Sequence, residues 1–139
     1  MSERSQIFVV VLAVVVATVI VLGIIVADGG RHGPQSSRAK ATYGLLHTLS
    51  EAAREYRDAT GREISASYYA DLMSHPKCAA IVGKIPPASI SGGVVLDAWG
   101  NAIIYNPSSS VLPDGYFQSI GPDGIPNNTD DLRSTEAAS

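Results

Sequence analysis

One cysteine, three histidines and ten basic residues are few for a chain of 139, and each scarcity closes a class of function. Cys78 alone allows no internal disulfide framework, no cysteine cluster for zinc and no redox dithiol pair. It reads as a small apolar residue in a short helix. Lys and Arg number 10 against 13 Asp and Glu, a formal net charge of -3. That balance gives no basic patch to neutralise phosphates, so nucleic acid is not an expected partner. His32, His47 and His75 lie in separate surroundings with no Ser or Cys nucleophile motif beside them, and an enzyme is not expected. Gly115, Gly121 and Gly124 are not followed by a Gly-Lys-Ser/Thr signature, so they form no phosphate loop. No small-molecule substrate is implied.

Against that sparse background stands one long apolar run. Ile7 to Ala27 carries no charge, and about twenty apolar residues in a helix match the roughly 30 Å hydrocarbon layer of a bilayer. The run exceeds a signal-peptide core, and Ala27-Asp-Gly-Gly30 fits a cleavage site poorly. It predicts a retained transmembrane helix in contact with membrane lipid. Arg4 precedes the run, whereas Arg31, Arg38 and Lys40 follow it. The basic-residue rule therefore leans weakly toward a cytoplasmic C-terminal side and does not decide orientation.

Residues 28–37 are rich in Gly, Pro and Ser and predict a flexible linker after a short flank (1–6) and the membrane helix (7–27). From Arg38 the pattern turns helical, with Ala41, Leu45, Leu49, Ala52 and Tyr56 at spacings of three and four, Leu46 and Ala53 widening the stripe, and Gly61 closing the helix. Glu51, Arg54, Glu55, Arg57 and Asp58 read as its solvated face. Ser67–His75 and Cys78–Val82 are short helical turns punctuated by Pro76 and Pro86-Pro87. After Gly92-Gly93, Val94–Leu96, Ala102–Tyr105 and Tyr116–Ile120 are strand candidates, predicting a small antiparallel meander laid on the long helix. The fold class is α+β: a domain over 38–132, then a frayed tail over 133–139.

The densest chemical signal is Gly121-Pro-Asp-Gly-Ile-Pro-Asn-Asn-Thr-Asp-Asp131, which places three carboxylates in one bent loop. Oxygen donors without nitrogen or sulfur suit a hard cation such as calcium, although the spacing is not that of an EF-hand. An Asp-Gly turn and an Asn-Asn turn with acidic surface residues explain the same composition. Both readings stand on composition alone.

Four features then occur in one order: the apolar anchor, a helix containing Arg38-Ala-Lys-Ala-Thr42, the segment Asp97-Ala-Trp-Gly-Asn-Ala-Ile-Ile-Tyr105, and Tyr116-Phe-Gln-Ser-Ile-Gly-Pro-Asp-Gly124. This order resembles the major pseudopilin of bacterial type II secretion systems, whose helix is followed by D-P-W-G-x-P-x-x-Y and by an S-x-G-x-D-G loop, over about residues 38 to 132. The resemblance implies a spine helix on a small antiparallel sheet, a calcium ion ordering the C-terminal loop, and a place in the bacterial inner membrane with the domain on the periplasmic side. It implies other pilin-like or secretion-system subunits as partners. Its ligand set falls on Asp123 and Asp130, seven residues apart, with Asp131, the amide oxygen of Asn128 and the carbonyl of Ile120. Trp99 becomes a packing residue and Asp97 a turn former. Two family signals are missing: no Gly precedes Ile7, and no Glu lies inside the apolar run. Their absence points to a permanent tether, and to an alternative role as a membrane-tethered, calcium-dependent binding module of the envelope that does not polymerise.

Overall fold

The computed structural model describes residues 33–136. The expected membrane helix (7–27) lies outside them, and among the described residues no helix is long and apolar enough to cross a membrane. The chain divides into two compact units, residues 1–37 and 38–139; the second unit is an α+β fold of one long helix and two small antiparallel sheets.

Helix α1 runs Gly33–Thr60, so it starts inside the stretch expected to be a flexible linker. Pro34 stands in its first turn, where a missing N–H breaks no helical hydrogen bond, and the Gly-Pro step is tolerated there. At the other end Gly61 adopts φ +68° and donates its N–H to the Arg57 carbonyl at 2.8 Å, closing the helix as the sequence leads one to expect.

The buried face of α1 is Thr42, Leu46, Leu49 and Ala52, with Tyr43, Leu45, Ala53 and Tyr56 packed half-buried beside it. The expected stripe began at Ala41, which is exposed. Thr42 takes the core position because its hydroxyl accepts the Ala98 N–H at 3.1 Å, which offsets the burial of a polar group.

Short helices α2 (Tyr68–Met73) and α3 (Pro76–Val82) follow. Ser74 stops α2 by bonding the Asp71 carbonyl at 2.6 Å, and Pro76 starts α3 at a position that needs no donor. They contribute Tyr68, Leu72, Cys78 and Val82 to the core.

A short 3-10 turn, Pro87–Ser89, leads into hairpin β1 (Ile90–Ser91) and β2 (Val94–Val95), with Ile90 opposite Val95. Gly92 and Gly93 connect them with φ of +57° and +78°. Two consecutive positive values are what a type I′ hairpin demands, and glycine, with no β-carbon, adopts both readily. The second sheet has the order β3 (Ile104–Asn106), β4 (Tyr116–Ser119), β5 (Leu132–Arg133), all antiparallel. A single bridge, Leu96 to Ala102, together with the Ile103 N–H bonding the Val95 carbonyl, links the two sheets.

Three of these strands coincide with sequence candidates; β1 and β5 do not. Arg133, expected to begin a frayed tail, pairs with Gln118 in the sheet. The next residue, Ser134, bonds Phe117 twice through its hydroxyl and its N–H.

Side chains from the helices and both sheets share one core. At its centre the Phe117 ring meets Tyr68 edge-on, with centroids 5.2 Å apart, and Tyr105 at 5.0 Å, both within the favourable range for aromatic pairs. The Tyr68 hydroxyl donates to the Ile103 carbonyl and accepts the Val95 N–H, each at 3.0 Å, so one buried side chain ties α2 to both sheets. Removing that oxygen leaves a buried donor and acceptor unpaired. Tyr68→Phe is expected to cost about 1–3 kcal/mol, seen as a drop of roughly 4–8 °C per kcal/mol in Tm, with far-ultraviolet circular dichroism at low temperature unchanged.

Candidate functional site

The acidic loop is fastened to the rest of the fold by the turn Asp97–Asn101. The Asp97 carboxylate is 5% exposed. Its Oδ1 accepts the N–H groups of Trp99 and Asn101 at 3.0 and 2.8 Å, which shapes the turn; Gly100 sits at φ +88° within it. Its Oδ2 accepts the hydroxyl of Ser119 at 2.6 Å. That hydroxyl oxygen in turn accepts the Gly121 N–H at 3.2 Å, and Asn101 donates its amide to the Gly121 carbonyl at 2.9 Å. The first residue of the acidic loop is thus held on both its backbone groups. Asp97 is a turn former, as expected, and also the buried acceptor that connects the turn to the end of β4. Trp99 is half-buried.

Gly121 has φ +67°, and a β-carbon there would come within 2.5 Å of the Asp130 carbonyl oxygen and 2.8 Å of its Oδ2. The two ends of the loop therefore close on a bare glycine face. Within the loop, Asp123 Oδ1 accepts the Ile125 N–H at 2.8 Å and Oδ2 accepts the Asn128 side-chain amide at 2.7 Å; Asn128 Oδ1 accepts the Asp130 N–H at 3.3 Å. Asp131 turns inward: its Oδ2 accepts from Gln118 Nε2 and the Asn127 N–H, both at 2.6 Å. Its Oδ1 is the one buried side-chain oxygen among the described residues without a hydrogen-bond partner, and such an orphan costs about 1–3 kcal/mol when nothing compensates it. Ile120 is half-buried where β4 runs into the loop.

The sequence-derived set thus separates into a chained group, Asp123, Asn128 and Asp130, and an inward carboxylate, Asp131. Among the described residues no three His, Cys, Asp or Glu side chains are grouped so that they could hold a metal ion. No more than two of the loop's carboxylates are grouped in this conformation, so a cation bound by Asp123, Asp130 and Asp131 together would require the loop to draw in around it, with amide and carbonyl oxygens completing an all-oxygen shell. That donor chemistry is the one a hard cation accepts, and the unpartnered Asp131 oxygen is the feature that fits it.

A second polar group escapes the motif pattern. Between α1, the residues after it and the start of β4 lies a cavity of about 220 Å³. Glu63 crosses its edge: Oε1 accepts the Tyr105 hydroxyl and the Ser108 N–H, both at 2.6 Å, and Oε2 accepts the Ser108 hydroxyl at 2.7 Å. Arg57 pairs with Asp114 at the rim. Gly115 is packed so closely that a β-carbon would run into the Tyr105 hydroxyl. The Tyr105 hydrogen bond, then those from Ser108, hold Glu63 below the usual carboxylate range. Burial, then Glu63 itself, pushes the Tyr105 phenol above the usual tyrosine range. Cys78 is fully buried, 3.6 Å from His75 Nδ1, and burial first, then Glu55, raises its thiol. It is packed as the small apolar residue expected from the sequence.

Comparison of the chain with protein-family models, with curated proteins and with solved structures finds no match in any of the three.

Because the folded chain holds Glu63 below its ordinary value of 4.5, the stability it contributes is complete above that value and is lost as pH falls through the folded one. Glu63→Gln is therefore expected to reduce the fall of Tm on acidification below pH 5, a difference read from melting curves of the two proteins over one pH series.

Proposed function

We propose that the chain is a non-enzymatic, pseudopilin-like component of a bacterial type II secretion or related pilus-like system. In this reading residues 7–27 anchor it in the inner membrane, the α+β domain lies on the periplasmic side, and calcium stabilises the C-terminal loop. The single observation that supports it most is the acidic loop fixed at Gly121 by the Asp97 turn, with one buried Asp131 oxygen unpartnered. A bound divalent cation supplies the positive charge that oxygen lacks. Asp123 and Asp130 are the principal ligands, joined by Asp131, the Asn128 amide oxygen and the Ile120 carbonyl. No residue performs chemistry; the ion replaces a hydrophobic staple that a domain of this size has little surface to build.

The missing Gly before Ile7 and the missing Glu within the apolar run favour a second reading, in which the same domain is a permanently tethered, calcium-dependent binding module of the envelope that does not polymerise. Subunit partners separate the two. Cross-linking in native membranes is expected to capture other pilin-like subunits; capture of unrelated envelope proteins alone overturns the first reading in favour of the second.

The calcium assignment has its own test. A ligand that binds only the folded state at about 100 times its Kd adds about 2.7 kcal/mol, so calcium is expected to raise Tm by on the order of 10 °C relative to chelator. Asp123→Ala and Asp130→Ala should each remove most of that difference. A Tm indifferent to calcium and chelator in the unmodified protein sinks the metal.

A further inference from the structure

We infer that Gln118 is the positioning residue of the Asp131 carboxylate, holding it with a neutral donor so that one oxygen and the negative charge stay available to a cation. The inference rests on the calcium reading proposed above, to which it adds the residues that prepare one ligand. Gln118 is 5% exposed and Asp131 8%. The register of the three-stranded sheet brings them together: Gln118 stands opposite Ile104 on one side and Arg133 on the other. Asn106 and Asp131 are then its diagonal neighbours, on the sheet face away from Phe117.

A carboxylate oxygen only accepts, so Gln118 turns its Nε2 to Asp131 Oδ2, at 2.6 Å, and its Oε1 to the Asn106 amide, at 3.2 Å. The Gln118 amide is thereby held from both sides. The N–H of Asn127, a residue at φ +67°, is the second donor on Oδ2. Oδ1 has none. Two donors on one oxygen and none on the other decide which oxygen is left to a ligand. Hydrogen bonds to the far side of a metal-binding group orient it before the ion arrives, and their loss typically costs about 10–100-fold in affinity.

The kind of donor matters as much as its place. A guanidinium would cancel the charge of Asp131, and one stands on this same face: Arg133 follows Asp131 by two residues and lies directly opposite Gln118. Its guanidinium is instead over the Tyr116 ring, 5.7 Å from the centroid, and neither ion pair among the described residues involves it. Tyr116 thus draws off the nearest competing cation. Asp131 is gripped by an amide and a backbone N–H, which hold a carboxylate without neutralising it. A buried carboxylate in that condition is the one whose pairing with an added positive charge gains most.

The test is the calcium Kd of the full chain in detergent, measured well below Tm by competition with a fluorescent calcium chelator. Gln118→Met keeps the side-chain length and loses both hydrogen bonds, and is expected to weaken the Kd by about 10–100-fold. Asn106→Ala frees the Gln118 amide from its other side and is expected to weaken it by a smaller factor. Tyr68→Phe lowers stability in the core without touching this face, so its Kd is expected to equal that of the unmodified chain. Equal weakening in Tyr68→Phe and Gln118→Met overturns the inference, because Gln118 then acts only through stability. An unchanged Kd in Gln118→Met also overturns it and leaves the calcium reading standing. Should Gln118→Met not fold, Asn106→Ala decides, an unchanged Kd there overturning the inference. Failure of the unmodified chain to compete for calcium overturns both the inference and the reading on which it rests.

Discussion

The buried carboxylate of Asp97 is the constraint on which the acidic-loop end of the domain is built. A carboxylate 5% exposed survives inside a small protein only when its lone pairs are filled by donors. Asp97 fills them with three donors: the Trp99 and Asn101 N–H groups of its own turn, and the Ser119 hydroxyl at the end of β4. Because the Ser119 oxygen then receives the Gly121 N–H, the geometry of a tight turn is transmitted to a loop twenty residues further along the chain. The Asn101 bond to the Gly121 carbonyl makes the attachment two-sided. The loop's conformation is thus imposed from outside it, before its own carboxylates are considered.

The same economy governs the core. The strands are two to four residues long, too short to be stable as isolated hairpins. They are held because side chains reach between elements: the Tyr68 hydroxyl bridges to both sheets, Thr42 reaches the turn at Ala98, and Glu63 binds Tyr105 and Ser108. Polar side chains do here what longer strand ladders do elsewhere. That explains why a fold of this kind accommodates so many buried or half-buried hydroxyl and carboxylate groups.

What was legible in the sequence follows from this. The amphipathic spacing of α1, its closure at Gly61, and the strands at Val94, Ile104 and Tyr116 were readable because periodicity and glycine chemistry are local. The start of the helix was not, since a Gly-Pro step that breaks a helix interior is harmless in a first turn. Thr42 was passed over in favour of Ala41 because only its remote partner makes it a core residue. β1 and β5 are two residues each, too short to show alternation, and they exist because Val95 and Ser119 present free edges to them. The loop residues Asp123, Asn128, Asp130 and Asp131 were identifiable as a group, while the inward turn of Asp131 was not. The cavity beside Glu63 left no motif at all, because its walls come from five separated stretches of chain.

Trp99 is the sole tryptophan of the chain, and it sits in the one turn whose backbone is gripped by Asp97. Its half-buried indole is therefore an intrinsic optical gauge placed beside the loop's anchorage. Selective excitation of one chromophore, with no label attached, follows whether that turn is closed or sprung, separately from the melting of the tyrosine-rich interior.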